Sequence, residues 1–201
     1  KDGKFAGPFM MFPTMTDEDL ASVIAFLKSD APEVQPSDWQ KPPAQLTFLA
    51  KMWLKVLVKP SEYSDKPIVT PSPADSIAYG KYLTTSKWEC SLCHSESFET
   101  YNHFEPEKSP GYLGGGNLVG KKNEKPVPSA NLTPDKETGL GNWTLEQFSD
   151  AVRYGKRPDG RAMNHAMPPF AVLTDAEVSA IWQYLKTTPP LKNKVVQAEN
   201  Q

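Results

Sequence analysis

Two cysteines and a histidine lie together in the segment Cys90-Ser-Leu-Cys93-His94. This spacing puts two thiols within one helical turn, where they can add to the two vinyl groups of a haem, and it puts an imidazole beside them to bind the iron. A zinc site needs four ligands, so these residues would have to recruit distant His103 or His165. A thioredoxin-like redox pair needs a βαβ context, which the sequence lacks. We therefore predict that haem c is attached through Cys90 and Cys93, with His94 as one axial ligand.

The second axial ligand is expected from the loop 162–170, which contains Met163, His165 and Met167. Met167 precedes a proline, and this step favours an extended backbone that can hold the thioether out of the loop. Met167 is therefore the predicted ligand, while Met163 and His165 remain as alternatives. His103 lies in a polar, acidic stretch and is predicted to be a surface histidine.

Helices must position these residues. A helix is predicted over 75–83, and the patterns Thr144-Leu-Glu-Gln and Thr174-Asp-Ala-Glu are capping boxes that predict helices over 145–154 and 178–186. No useful length of sequence alternates with a period of two. The predicted fold class is all-α with long irregular loops, and in a compact domain such loops usually wrap around something.

Charge and hydropathy exclude two classes of partner. Lys and Arg number 22 against 24 Asp and Glu, a net charge of −2, which argues against a protein that binds nucleic acid by neutralising phosphates. The longest apolar candidate, 46–58, is interrupted by Lys51 and Lys55, so no membrane span is predicted.

Proline-rich connectors at 31–43 and 59–73 flank this candidate. Its apolar residues have helical spacing, which predicts one amphipathic helix. We interpret that helix as a brace packed on the neighbouring domain, with a membrane-surface or partner-docking role as the alternative.

An internal repeat relates the start of the chain to its end. Segment 1–4 resembles 158–161, and 16–28 resembles 174–186. We therefore predict that residues 1–30 are the C-terminal part of a first domain, whose missing part lies upstream of Lys1. The alternative is that this helix packs on the 76–190 domain and that Met10 is a core residue. Aligned from its upstream side, the repeat makes Met10 the equivalent of Met167 and a candidate axial ligand of a second haem. Aligned from Thr16, the alternative is Met11.

The remaining boundaries follow from these segments. Residues 31–75 are predicted to be a proline-rich linker with one helix, 76–190 a complete domain, and 191–201 a tail.

The chain resembles the class I cytochrome c family, and in particular the cytochrome subunits and di-haem cytochromes of bacterial periplasmic dehydrogenases. The resemblance covers 76–190, and a partial resemblance covers 1–30. Besides the cysteine motif, its residues are Tyr79-Gly80-Lys-Tyr82, Ser129-Ala-Asn-Leu-Thr-Pro-Asp135, Thr138-Gly-Leu-Gly-Asn-Trp143-Thr, Tyr154-Gly-Lys-Arg-Pro-Asp-Gly160 and Met167-Pro168.

The resemblance implies a cytochrome c-like domain with loops around a covalent haem, preceded by part of a second such domain. It implies that His94 and Met167 are the axial ligands and that electron transfer is the activity. It also implies a periplasmic location and a redox partner such as a dehydrogenase or terminal oxidase. Finally, it implies that Gly80 lets the first helix of the domain cross closely against the last, near Tyr184.

Several accessory residues are candidates for holding the cofactor. Trp143 could donate its indole N–H to a haem propionate, or it could be a core tryptophan. Asn131 is a candidate cofactor-binding residue, although its place before a Thr-Pro turn is also explained by local capping. Gly114-Gly-Gly116 is interpreted as backbone near the haem or as a flexible loop.

A basic cluster is formed in the sequence by Arg153, Lys156, Arg157 and Arg161. It predicts either a solvated face with one arginine near a propionate, or a docking surface for an acidic partner.

Three functions are compatible with these residues. A six-coordinate iron predicts an electron-transfer protein rather than an enzyme. A haem peroxidase-like enzyme would need an open iron position and a distal group such as His165. A gas-binding haem sensor would need Met167 to be displaced.

Overall fold

A computed structural model describes residues 12–36, 47–57, 67–120 and 125–195. These form two compact units. The first contains 16–36, 47–57 and 67–69, and the second contains 12–15 together with 70–120 and 125–195. The cysteine motif (90–94) and the loop that contains Met163 and Met167 (162–170, the methionine loop) both belong to the second unit.

The first unit contains two helices, α1 (Asp17–Leu27) and α2 (Phe48–Leu57), and a 3₁₀ turn at Pro32–Val34. Thr16 caps α1 by accepting a hydrogen bond from the backbone N–H of Asp19. The amphipathic helix predicted within 46–58 is confirmed as α2. Both helices expose large apolar side chains: Leu20, Val23, Ile24, Phe26 and Leu27 on α1, and Phe48, Leu49, Met52 and Val56 on α2.

The second unit contains four α-helices, two of them opened by the predicted capping boxes. They are α3 (Ser76–Tyr82), α4 (Cys90–Cys93), α5 (Leu145–Tyr154) and α6 (Asp175–Thr187). A 3₁₀ turn spans Pro106–Lys108. The three helices predicted for this unit are therefore confirmed, with ends that differ by a few residues.

A π-helical turn at Leu83–Lys87 continues α3 towards the cysteine motif. The hydroxyls of Thr84 and Thr85 donate to the carbonyls of Gly80 and Lys81, at 2.7 and 2.9 Å. Hydroxyls that bond back to the preceding turn compete with the regular ladder and bend a helix. This run therefore turns the chain between α3 and α4.

The core lies where α3 crosses α6. A Cβ added at Gly80 would lie 2.0 Å from the backbone oxygen of Ala180 and 2.9 Å from Cβ of Tyr184. Only a residue without a side chain allows the two helices to approach this closely, as the resemblance implied. Around the crossing, Leu83, Leu113, Val178 and Leu185 are fully buried.

One pair of two-residue strands accompanies the helices. β1 (Leu118–Val119) pairs antiparallel with β2 (Val127–Pro128), in the register Leu118 to Pro128. The described residues are otherwise helix-rich, which agrees with the predicted class. Two residues are too few for a period-two pattern, so these strands could not be predicted from the sequence.

Across the described ranges, none of the helices is long and apolar enough to cross a membrane.

Candidate cofactor site

Two neighbouring cavities with shared lining residues, called here the two lobes of the cavity, lie between the cysteine motif, the 129–143 loop and the methionine loop. The larger lobe measures about 270 Å³ and the smaller about 160 Å³. Side chains from both ends of the domain line both lobes, namely Cys90, His94, Arg157, Met163 and Met167. The fold therefore brings the two parts of the predicted ligand set to one cavity.

His94 is held in the state that a metal ligand requires. It is buried, and its Nδ1 lies 2.7 Å from the backbone oxygen of Ala130. A carbonyl oxygen can only accept, so Nδ1 carries the hydrogen and Nε2 keeps a free lone pair. Burial lowers the pKa of His94, which also favours the neutral ring. The imidazole is thus oriented and deprotonated for coordination at Nε2.

The glycine-rich segment 114–116 fixes this histidine. The N–H of Gly115 donates to the carbonyl of His94 at 2.8 Å, and the N–H of Gly116 donates to Ser129 at 3.0 Å. Gly115 has φ +71°, and a Cβ there would lie 2.5 Å from the carbonyl carbon and oxygen of Ala130. Gly115 therefore packs on the same peptide group that orients His94. The backbone of this segment thus lies beside His94, and its proximity to haem stays a prediction.

The two cysteines are free thiols on one turn of helix. Cys90 lines both lobes and Cys93 lines the smaller one. Burial raises the pKa of Cys90 to about 12 and also raises that of Cys93, where nearby Glu89 adds to the effect. Glu89 itself has a left-handed backbone (φ 47°), and burial raises the pKa of its carboxyl to about 7. The sequence did not single out Glu89.

A tight hairpin over 156–162 leads into the methionine loop (162–170). Lys156 and Ala162 form an antiparallel bridge, and the N–H of Met163 donates to the carbonyl of Gly155 at 2.7 Å. The N–H of Met167 then donates to Asn164 at 3.0 Å. Through these bonds Met163 and Met167 both line both lobes.

The two histidines considered as alternatives lie elsewhere. His165 is exposed and is not among the residues that line either lobe. His103 packs edge to face on Tyr101, with ring centroids 5.1 Å apart, and is half-buried. In the described part of the chain, no three His, Cys, Asp or Glu side chains gather as a metal-binding group. The choice of Met167 over Met163 stays a prediction.

Trp143 lines the larger lobe and packs against the core. Asn131 lines the same lobe, and its amide already makes four hydrogen bonds within the protein. Its Nδ2 donates to the carbonyl of Leu191 at 2.7 Å and to Thr138 at 3.0 Å, and its Oδ1 accepts from the N–H and the hydroxyl of Thr133. Asn131 therefore ties its loop to the segment after α6. Contact of either residue with the cofactor stays a prediction.

Met10 and Met11, the candidate ligands of a second haem, lie outside the described residues.

No family model matches the chain. It is similar to the fructose dehydrogenase cytochrome subunit of Gluconobacter japonicus, at 33% identity over 150 residues, covering 72% of this chain and 27% of the relative. It is also similar to the cytochrome c subunit of the quinone alcohol dehydrogenase of Gluconobacter oxydans, at 37% identity over 54% of this chain and 20% of the relative. The corresponding subunit of Gluconacetobacter polyoxogenes is 28% identical over 95% of this chain and 42% of the relative. The chain belongs to the c-type cytochromes. This cytochrome spans less than half the length of each of these relatives.

The cavity of the cytochrome fits the haem c that this relationship implies. Cys90, Cys93 and His94 border it, while Leu140, Phe148 and other apolar side chains line the larger lobe. Three buried polar atoms on its wall have no hydrogen-bond partner: Nε1 of Trp88, Oγ of Ser129 and Nε of Arg157. An unpaired buried donor costs roughly 1–3 kcal/mol, so these groups indicate a polar part of a ligand. Trp88 and Ser129 had not been predicted from the sequence as site residues.

Proposed function

We propose that the cytochrome carries haem c on Cys90 and Cys93, with His94 and Met167 as axial ligands, and that it transfers single electrons. In this proposal it works in the periplasm, as a soluble carrier or as the cytochrome subunit of a dehydrogenase or respiratory complex. The observation that carries the proposal is the shared cavity, in which an oriented, neutral His94 and the thioether loop line the same two lobes.

Each residue has a distinct task. The cysteines hold the cofactor covalently, and Ala130 keeps the Nε2 of His94 available by accepting from Nδ1. Met167 completes the coordination, and a thioether raises the reduction potential relative to a second imidazole. When bound, haem supplies an iron that cycles between the ferric and ferrous states. With His94 and Met167 both bound to it, the metal would have no open position for a substrate.

The enzyme and sensor alternatives have weaker support. A peroxidase-like reaction would use His165 as a distal acid or base, yet this side chain is exposed and is not among the residues lining the cavity. A gas sensor would need Met167 to leave the iron. The names of the three relatives above describe cytochrome subunits, which favours electron transfer.

Optical spectroscopy of the isolated haem protein tests the proposal. We expect a low-spin spectrum, a thioether–iron charge-transfer band near the red end of the oxidised spectrum, and a reversible one-electron potentiometric titration. A high-spin spectrum with peroxide turnover would support the enzyme instead. A spectral change of the reduced protein at modest carbon monoxide concentration would support the sensor.

We further propose that residues 1–30 end another cytochrome c-like domain, with Met10 as a ligand of a second haem and Met11 as the alternative. Aligning Thr16 with Thr174 pairs exposed residues of α1 with buried residues of α6. Leu20 (47% exposed) matches Val178 (2%), and Leu27 (60%) matches Leu185 (1%). The apolar face that α6 packs against α3 thus has exposed counterparts on α1, which supports the assignment of α1 as the equivalent of α6.

Native material decides this second proposal. A pyridine haemochrome assay with intact mass should give two haems per chain of a longer parent protein. A single haem, with no co-purifying upstream segment, would exclude the di-haem parent.

A further inference from the structure

Arg157 stands out among the basic residues near the cavity. It lines both lobes, its Nε is buried without a hydrogen-bond partner, and its side chain is 29% exposed. The other basic residues of its cluster, Arg153, Lys156 and Arg161, are not among the cavity-lining residues. Within the cluster, therefore, only Arg157 lines the cavity.

The hairpin over 156–162 fixes the position of Arg157. Its backbone N–H donates to the carbonyl of Arg161 at 2.9 Å, and its own carbonyl accepts from Gly160 at 2.9 Å. The flanking bridge between Lys156 and Ala162 closes the same turn. The side chain therefore projects from a rigid backbone, which limits the conformational entropy lost when the guanidinium binds a ligand.

Asp159, which forms an ion pair with Arg157, accepts its hydrogen bonds from Arg161. Arg161 donates to Oδ2 of Asp159 through Nε at 3.0 Å and through Nη2 at 2.8 Å, and its backbone N–H donates to Oδ1 at 3.1 Å. These bonds are the leading cause of the lowered pKa of Asp159. Nε of Arg157 lies 3.6 Å from Oδ2, beyond hydrogen-bond distance.

The other two cations of the cluster have carboxylates of their own. Arg153 binds Asp175 at 2.7 Å, and Lys156 lies 3.7 Å from Asp150. Together with the Arg161–Asp159 pair, these contacts argue against a basic docking surface. Arg157 makes an ion pair of the same kind, 3.6 Å from Asp159, but within the cluster it alone lines the cavity, and its Nε has no hydrogen-bond partner.

We propose that Arg157 binds a propionate carboxylate of the cofactor, and that the Arg161–Asp159 pair preserves its charge for this purpose. The inference rests on the proposed function, because it needs haem in the cavity. A guanidinium matches a carboxylate with two parallel hydrogen bonds. Arg157 is then a positioning residue that also sets the reduction potential, since a nearby positive charge favours the state that has gained an electron.

Potentiometric titration of the haem-loaded full chain tests this role. R157Q should shift the midpoint potential to more negative values, and R157K should give an intermediate shift, because Lys keeps the charge but not the planar fork. The matched control is K156Q, which removes the same charge from the adjacent, cavity-remote residue and should leave the potential within error of wild type.

A second set of variants tests the pair while leaving Arg157 in place, so it remains informative if R157Q fails to hold haem. R161Q should also lower the potential, because Asp159 becomes free to neutralise Arg157. Adding D159N to R161Q should restore it. The inference is overturned if R157Q behaves as K156Q does, or if R161Q and R161Q/D159N have the same potential. Failure of the proposed function is distinguishable, because the wild type itself would then lack haem or the thioether band.

Discussion

Replacing Gly115 by alanine tests how the fold orients His94. The new Cβ would lie 2.5 Å from the carbonyl group of Ala130, so reaching an ordinary contact of 3.4 Å requires a shift of about 0.9 Å. If Ala130 moves away by that amount, its 2.7 Å bond to Nδ1 of His94 lengthens to about 3.6 Å and is lost. G115A therefore tests whether a packing defect at Gly115 breaks the hydrogen bond that orients His94.

The expected decrease in the free energy of unfolding of G115A has three parts. A left-handed backbone (φ +71°) costs alanine roughly 1–2 kcal/mol, overpacking roughly 1–3 kcal/mol, and the lost hydrogen bond about 1 kcal/mol. G160A is the matched control, because Gly160 has φ +81° but nothing within 4 Å of its added Cβ. It should lose only the roughly 1–2 kcal/mol of backbone strain.

Urea unfolding of the haem-loaded protein, followed by circular dichroism at 222 nm, measures both free energies of unfolding. G115A should be less stable than G160A by about 2 kcal/mol or more. Its midpoint potential should also rise, because an imidazole without its hydrogen bond is a poorer electron donor to the metal. Equal stability of the two variants, with an unchanged potential, would refute the idea that Gly115 positions His94 through Ala130.

Three further predictions concern the cofactor and pH. Acid-acetone extraction of C90S/C93S should remove all haem, and haem that survives extraction would show that attachment lies elsewhere. M167A should bind carbon monoxide or imidazole and lose the thioether band, whereas M163A should stay low-spin; the reverse pattern would make Met163 the ligand. Burial raises the pKa of Glu89 to about 7, so the folded state holds this proton more tightly than the unfolded chain does. The associated stability is present below pH 4.5 and is lost as the pH rises through 7. E89Q should therefore lose less stability than wild type between pH 5 and pH 8 in urea titrations, and an identical loss would exclude Glu89 as the titrating group.

Residues close together in the chain made much of the site predictable. The cysteine motif needs only one turn to bring its thiols and imidazole together, and the capping boxes at Thr144 and Thr174 specify helix starts through neighbours three residues away. The Met-Pro step marks its loop in the same local way. The family resemblance also predicted the close crossing of two helices at Gly80, because the motifs on which it rests belong to a known fold.

Tertiary structure alone decided the contacts between distant segments. Nothing adjacent to His94 indicates that Ala130, 36 residues away, accepts from its ring, or that Gly115 holds that peptide in place. The sequence could not assign the basic cluster either, because Arg157 and Arg161 are alike in type and share one loop. Which of them lines the cavity depends on how the hairpin folds and on which arginine forms the hydrogen bonds with Asp159. Such outcomes follow from packing and from competition for a partner, and neither is encoded in a short stretch of residues.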